Sequence, residues 1–318
     1  MFTYILRRLL ISIPILLGIT VIIFFIASQM PGDAVQAMIS QETPMAEELV
    51  KLRRGQLGLD QPIYVQYGRW LGNLAQGNLG FSFQSGEPVS KVIGARVLAT
   101  LQLTGTALLI SIVLGVFLGV ISALRQYSIL DYSLTFAGFT GISVPDFFMG
   151  MVLVYIFAIQ LGWFPTSGIS TRGEPYSLSD NLRHLVLPAF ALALVRTATF
   201  MRYTRASVLE VMNDDYVRTA RAKGVREWIV TARHILRNAL IPIITVIGFS
   251  LPILFGGSVI IETIFQWPGI GLMFMNAITG RDSPVIMGYV LFSAIIVLAT
   301  NLLTDIVYSW ADPRIRYD

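Results

Sequence analysis

Six runs of apolar residues recur along the chain, at 9 to 29, 98 to 124, 133 to 161, 185 to 203, 239 to 261 and 284 to 308. Each is near the ~20 residues a helix needs to cross the hydrocarbon core of a bilayer. The pattern predicts an all-α integral membrane protein with about six transmembrane helices. Arg196 interrupts the fourth run, at a nominal ~2.5–3.5 kcal/mol for a helix centre, which makes that span the weakest. Arg7 and Arg8 precede the first run as in a signal peptide. That run is too long for a secretory apolar core and no small-residue cleavage site follows at Gln29-Met30-Pro31, so a retained anchor is expected.

The polar stretches supply the remaining elements. Residues 31–97 form a long segment between the first two spans, with a helix start at Thr43-Pro44, Glu47 and Glu48 in its first turn and Gly55 as a stop. A second start lies at Gln61-Pro62, after which Tyr64, Tyr67, Trp70, Leu71 and Leu74 share one helical face. That stripe is expected to pack on the membrane surface or a neighbouring loop rather than to bind a ligand. Val89, Val92, Ile93 and Val97 make an amphipathic elbow helix leading into the second span. The chain thus divides into 1–30, 31–97 and a core of 98–318, with a polar loop at about 204–237.

Composition agrees with a lipid setting, since 54% of residues are hydrophobic and 13% are charged, against ~25% charged in ordinary globular domains. The net charge of +4 is concentrated in clusters: Arg7 and Arg8, Arg125, Arg314 and Arg316, and a run from Arg205 to Arg237. By the positive-inside rule these place both termini and the 204–237 loop in the cytoplasm, and residues 31–97 outside. No nucleic-acid signature accompanies the bases, so they are read as topology and docking signals, with membrane lipid and not nucleic acid among the expected partners. Cysteine is absent, which excludes disulfides and thiolate chemistry.

The sequence contains no phosphate-binding loop, no zinc-binding His-Glu-x-x-His helix and no Gly-x-Ser-x-Gly elbow. His184 and His234 fall on opposite sides of the fourth span and cannot share a metal. The chain is expected to be no enzyme, with no catalytic residue, no metal and no cofactor bound directly. An intramembrane protease built on Asp146, Ser143 or Asp305 would need a second group at catalytic spacing, and none is recognisable. The 204–237 loop is the most structured polar segment: Asn213-Asp214-Asp215 supplies an N-cap, Tyr216 to Lys223 a short helix and Gly224 a left-handed stop. A second helix starts near Glu227. The small residues Ala220 and Gly224, flanked by Arg221 and Lys223, suit close docking of another protein. A self-contained channel or ion-coupled carrier would need no such helix.

Asp215-Tyr216-Val217-Arg218-Thr219-Ala220-Arg221-Ala222-Lys223-Gly224, followed by Arg237-Asn238-Ala239-Leu240-Ile241-Pro242, resembles the coupling loop of permeases in bacterial ATP-binding-cassette importers. More narrowly it resembles the oligopeptide, dipeptide and nickel permease family. Matching segments run the length of the chain, among them Tyr4-Ile5-Leu6-Arg7-Arg8, Pro31-Gly32-Asp33, Gly77-Asn78-Leu79-Gly80-Phe81-Ser82, Ala99-Thr100-Leu101-Gln102-Leu103-Thr104, Gly256-Gly257-Ser258, Pro268-Gly269-Ile270-Gly271 and Asp312-Pro313-Arg314. The resemblance implies a type I importer permease fold in the bacterial cell membrane. It implies two ATP-binding subunits that hold ATP and magnesium, a second homologous permease and an extracytoplasmic solute-binding protein. The implied cargo is a peptide, with nickel chelates, glutathione and sugars as alternatives carried by closely similar permeases. There are departures: Arg218 stands where the general importer motif has Glu, Thr219 where it has its first Ala, and Arg237 where it ends in Pro. A role for that Glu does not transfer, whereas the Ala220 and Gly224 positions do. Leu98 stands where a proline is expected before the second span.

Candidates for the transport path come from residues awkward in lipid. Pro145, and Pro252 with Gly256-Gly257, should bend or break their helices and free backbone groups that must face protein or a wet cavity. Asp146 and Arg196 are ionisable residues within spans at comparable depth, and a mutual ion pair is one arrangement open to them. Glu262, followed by Phe265 and Trp267, ends the fifth span. The aromatic residues are expected as an interfacial belt, or, by the resemblance, as a gate or a contact for the solute-binding protein.

Overall fold

The computed structural model describes residues 2–30, 60–256 and 258–311. The helix expected from Thr43 to Gly55, the Pro31-Gly32-Asp33 and Asp312-Pro313-Arg314 segments and Gly257 lie outside them. The described elements are α1 (Phe2–Ser28), α2 (Ile63–Ala75), α3 (Val89–Leu124), α4 (Ile129–Ser143), α5 (Asp146–Gln160), α6 (Leu178–Val211), α7 (Asp215–Ala222), α8 (Glu227–Ala239), α9 (Ile241–Gly256), α10 (Val259–Ile264), α11 (Ile270–Thr279) and α12 (Ser283–Ala311). Helices α1, α3, α6 and α12 are each long and apolar enough to cross a membrane. The bent pairs α4–α5 and α8–α9 bring the number up to six. The α4–α5 pair turns through 105° at Val144-Pro145, so the stretch 133–161 is not the straight span its hydropathy suggests. Proline lacks a donor and pushes its predecessor out of the helical region, and Val144 is accordingly extended at ψ 125°.

Contacts divide the chain into two units, one of Met1–Ala99 with Pro268–Asp318 and the other of Thr100–Trp267. In the first unit α1 lies along α12. Tyr4 Oη donates to Asp305 at 2.9 Å and the Arg8 guanidinium reaches the same carboxylate at 2.9 Å. Asp305 is thus engaged by an arginine and a phenol. The aromatic stripe of α2 divides: Tyr67 and Trp70 pack on Phe24 of α1 at 5.4 and 5.6 Å, and Tyr67 Oη hydrogen-bonds Thr20 at 2.9 Å, while Tyr64 stays exposed. The span itself is the surface that Tyr67 and Trp70 cover.

The Gly77–Ser82 motif that follows is a tight turn, with Gly77 and Gly80 at φ +78° and +85° and Asn78 Oδ1 accepting from the Gly80 amide at 2.9 Å. It delivers Ser82 to the buried carboxylate of Asp282, which accepts from the Ser82 hydroxyl at 2.5 Å and from the Phe83 amide at 3.1 Å. Val89 and Ile93 then bury against Ile270, Met273, Val285 and Ile286. The elbow expected as a separate helix is instead the first part of a single α3 of 36 residues. With Leu98 where a helix-breaking proline was expected, nothing interrupts the hydrogen-bond ladder.

In the second unit α3 and α6 approach closely because Gly115 and Gly119 face α6. A Cβ at Gly119 would stand 2.6 Å from Thr204 Cβ and 2.7 Å from the Met201 carbonyl, and one at Gly115 would collide with Phe200. Glycines four residues apart are the small-residue spacing by which helices pack closely in lipid. Ser111 Oγ, buried between the helices, donates to the Ala107 and Ala193 carbonyls at 2.6 and 3.2 Å. Near the other end of α3, Ser122 donates to buried Asp131, which also takes both arms of the Arg205 fork at 2.8 Å and the Tyr127 amide at 3.0 Å. Arg205, counted in the sequence as a topology signal, therefore ties α6 to α4.

Gly119→Leu should force α3 off α6 and lower stability by about 1–3 kcal/mol, the usual cost of overpacking. Thermal unfolding of the purified protein in detergent measures it, with Gly105→Ala, which meets nothing within 4 Å, as the neutral control. Removing Asp131 alone should cost about 3 kcal/mol by stranding Arg205. In a double-mutant cycle, Asp131→Ala with Arg205→Ala should cost less than the two single losses summed.

Candidate functional site

Two places collect the residues singled out in the sequence, the α7 hairpin and the helix breaks of the second unit. Helix α7 follows Asp214, whose carbonyl accepts from the Val217 and Arg218 amides at 3.0 and 3.2 Å, though its side chain makes no capping bond. Asp215 in the first turn and Arg221 in the last suit the helix dipole. The C-terminus closes as a Schellman motif: Gly224, at φ +73°, donates to the Arg221 carbonyl at 2.9 Å, and Val225 donates to the Ala220 carbonyl at 3.3 Å. Glycine is required here because a Cβ disfavours the left-handed conformation.

One face of this short helix is anchored. Val217 and Ala220 are buried with Ala123 of α3, Val208 of α6, and Val230, Ile235 and Ala239 of α8. Ala220 therefore does not form an outward small face with Gly224, as its spacing suggested. Its small side chain lets α7 sit close to the hairpin beneath it. The outward face is made of Arg218, Thr219, Ala222, Lys223 and Gly224, all exposed. Tyr216 Oη accepts from Asn238 Nδ2 at 2.9 Å, and Thr219 Oγ1 turns back to the Asp215 carbonyl at 2.8 Å. The bases are not equivalent. Arg221 pairs with Glu227 at 2.6 Å, a bond that raises the guanidinium pKa above its ordinary value and staples α7 to α8. Arg218 makes a long, exposed pair with Asp215 at 3.7 Å. Lys223 has no ion pair among the described residues.

Among the path candidates, Pro145 caps α5 and the Met149 amide returns to its carbonyl at 3.1 Å, so Asp146 sits in the first turn of a new helix. Asp146 and Arg196 are not in direct contact: no salt bridge joins them, and Arg196 Nη1 is shielded from solvent without a hydrogen-bond partner. The interaction between them is one of charge at a distance. Pro252 lies inside α9, which continues to Gly256. The bend in this region comes earlier, 47° at Leu240, just before Pro242, whose ring denies the ladder a donor. Thr104 Oγ1 donates to the Leu254 carbonyl at 2.7 Å, satisfying one acceptor near the end of α9.

Glu262 is fully buried and accepts from Thr100 Oγ1 at 3.0 Å. Phe265 and Trp267 are buried as well, against the expectation of an exposed belt. Ile261 and Phe265 come within 3.3 Å of the space a Cβ on Gly150 would occupy, and the Phe265 carbonyl accepts from the Gly168 amide at 2.8 Å. Ile261 and Phe265 thus lock α10 onto α5. Hydropathy cannot separate an aromatic at the bilayer surface from one filling a core.

Residues 115–317 match a family model described as the inner membrane component of binding-protein-dependent transport systems, and residues 1–104 match the model for the N-terminal part of the same kind of component. The oligopeptide transport system permease protein AppB of Bacillus subtilis is 45% identical over 318 residues, with all of both chains covered. A putative peptide permease protein of Brucella suis is 46% identical over 317 residues, 99% of each chain. The dipeptide transport system permease protein DppB of Alkalihalophilus pseudofirmus is 38% identical over 336 aligned positions, again across both chains. Taken with up to six helical segments long and apolar enough to cross a membrane, these matches mean that the chain belongs to the binding-protein-dependent transport system inner membrane component family and is a multi-pass transport permease subunit, not an enzyme.

Proposed function

We propose that this chain moves peptides into a bacterial cell as one of two homologous permease subunits, driven by two ATP-binding subunits and supplied by an extracytoplasmic solute-binding protein. The peptide reading is drawn from relatives that are 38–46% identical along their whole length and are named as oligopeptide, dipeptide or peptide permeases. ATP and magnesium belong to the partner subunits. The bases of the α7 region, with Arg7, Arg8, Arg314 and Arg316, support a cytoplasmic location for α7 and both chain ends.

The observation that carries the coupling role is the two-sidedness of α7. Its inner face is packed into α3, α6 and α8, while its outer face offers a lysine, an arginine, a threonine and a glycine stop to another surface. An ATPase gripping the outer face would move α7 as a rigid piece, because the Schellman cap and the Arg221–Glu227 pair fix its end. The buried face would hand that motion to α6 and α8. The bends at Pro145 and Leu240 are where adjoining segments can turn without breaking long helices. The permease changes the path available to the cargo and leaves its covalent structure alone.

Gly224→Val should strain the left-handed stop and lower ATP-driven uptake by about tenfold or more, the effect of ~1.4 kcal/mol at the docking step. Co-purification of the ATPases and peptide uptake by reconstituted vesicles are the readouts; normal assembly and uptake would exclude α7 as the coupling helix. Lys223→Glu should weaken ATPase association directly. Arg221→Glu should act through the hairpin, so adding Glu227→Arg should restore part of the loss, whereas the same second change should do nothing for Lys223→Glu.

A further inference from the structure

Between α6 and α9 the second unit holds a cavity of about 220 Å³ lined by Val195, Arg196, Thr199, Phe200, Val246 and Ser250. Its hydroxyls are already engaged within their own helices, Ser250 to the Val246 carbonyl at 2.9 Å and Thr199 to the Val195 carbonyl at 3.4 Å. Arg196 is different. Its Nη1 is shielded from solvent with no hydrogen-bond partner, and no ion pair engages the guanidinium among the described residues. A guanidinium keeps its proton in any protein environment, so the charge cannot be shed. Its charge is offset from a distance by the carboxylate of Asp146, which acts on Arg196 by its field alone.

An unpaired cation is costly to hold within a helix bundle in lipid, and such residues face cavities and mark the route of a charged solute. The planar fork of arginine fits a carboxylate in two parallel bonds. The remaining lining is largely apolar, from Val195, Phe200 and Val246, which suits a carboxylate carried on a side-chain-bearing carbon better than a bare hydrated ion. The volume is below the ~300 Å³ of pockets that enclose whole drug-sized ligands, so it takes one end of a larger molecule. Resting on the peptide reading above, we infer that the Arg196 cavity is a station for the C-terminal carboxylate of a peptide in transit. Asp146 acts on Arg196 by its field without a direct pair, so the fork stays open to the cargo while the hold is loose enough for release.

The test uses the assembled transporter in phosphatidylcholine nanodiscs, without nucleotide or solute-binding protein, and equilibrium dialysis with radiolabelled trialanine and its C-terminal amide. Wild type should bind the free acid better than the amide. Arg196→Gln should weaken free-acid binding by about tenfold and erase the preference, while Arg196→Lys should retain much of both. Val246→Trp, which fills the cavity from α9 and leaves Arg196 in place, should produce the same loss and covers the case in which Arg196→Gln does not assemble. Equal binding of acid and amide to wild type, or unchanged binding in both the Gln and Trp variants, would overturn the inference. So would a lipid occupant, seen as loss of trialanine binding when phosphatidylglycerol replaces phosphatidylcholine and its recovery in Arg196→Gln. Failure of the peptide reading is separate: it would show as no ATP-dependent trialanine uptake by the wild-type transporter with its solute-binding protein.

Discussion

The hydrocarbon core of a bilayer offers no hydrogen-bond partner, so each polar group drawn into this bundle has to be met from within the chain. That constraint accounts for much of the second unit. Ser111 bridges to a carbonyl of α6, Thr104 reaches a carbonyl near the end of α9, and Asp131 takes donors from Ser122, Tyr127 and Arg205 at once. These bonds need the helices close together, and Gly115 and Gly119 remove the side chains that would hold α3 away. Close packing and polar satisfaction are two sides of one requirement here. Arg196 stands out against this background because it is a permanent charge whose Nη1 finds no such bond.

The α7 hairpin obeys a different rule, since its backbone ends are closed by turn geometry. Ser207 of α6 donates to the Ala239 carbonyl at the end of α8, so the base on which α7 rests is itself cross-linked. A short helix of eight residues has little stability of its own. Its order comes from the cap at Gly224 and from the two small apolar residues beneath it.

Much of this was legible in the residues. Apolar runs located the spans, Pro145 marked a break, and Gly224 marked the end of α7, because each rests on a local rule of backbone geometry or solvation. What escaped depended on partners far along the chain. Ala220 is small on either face of a helix, so spacing alone does not say whether it looks inward. Phe265 and Trp267 have the composition of an interfacial belt and the burial of a core. Asp131 and Asp282 carry no sequence signal that distinguishes them from loop carboxylates, and their donors include Arg205, 74 positions away, and Ser82, 200 positions away. Pro252 with Gly256-Gly257 divides: the helix runs on past the proline and ends at Gly256, while a further bend that the sequence did not mark falls at Leu240, near Pro242.

The pairing of α1 with α12 closes the first unit through Tyr4, Arg8 and Asp305, groups 301 positions apart at the Tyr4 bond. Helix α1 is therefore made long before α12 supplies the carboxylate that its polar end uses. Until α12 has been made, Arg8 and Tyr4 have each other, through the bond from Arg8 Nε to Tyr4 Oη at 3.0 Å, but the unit cannot reach its final packing. The closing contact works as a check on completeness, because a chain truncated before α12 would keep its anchor yet lack the carboxylate that secures it.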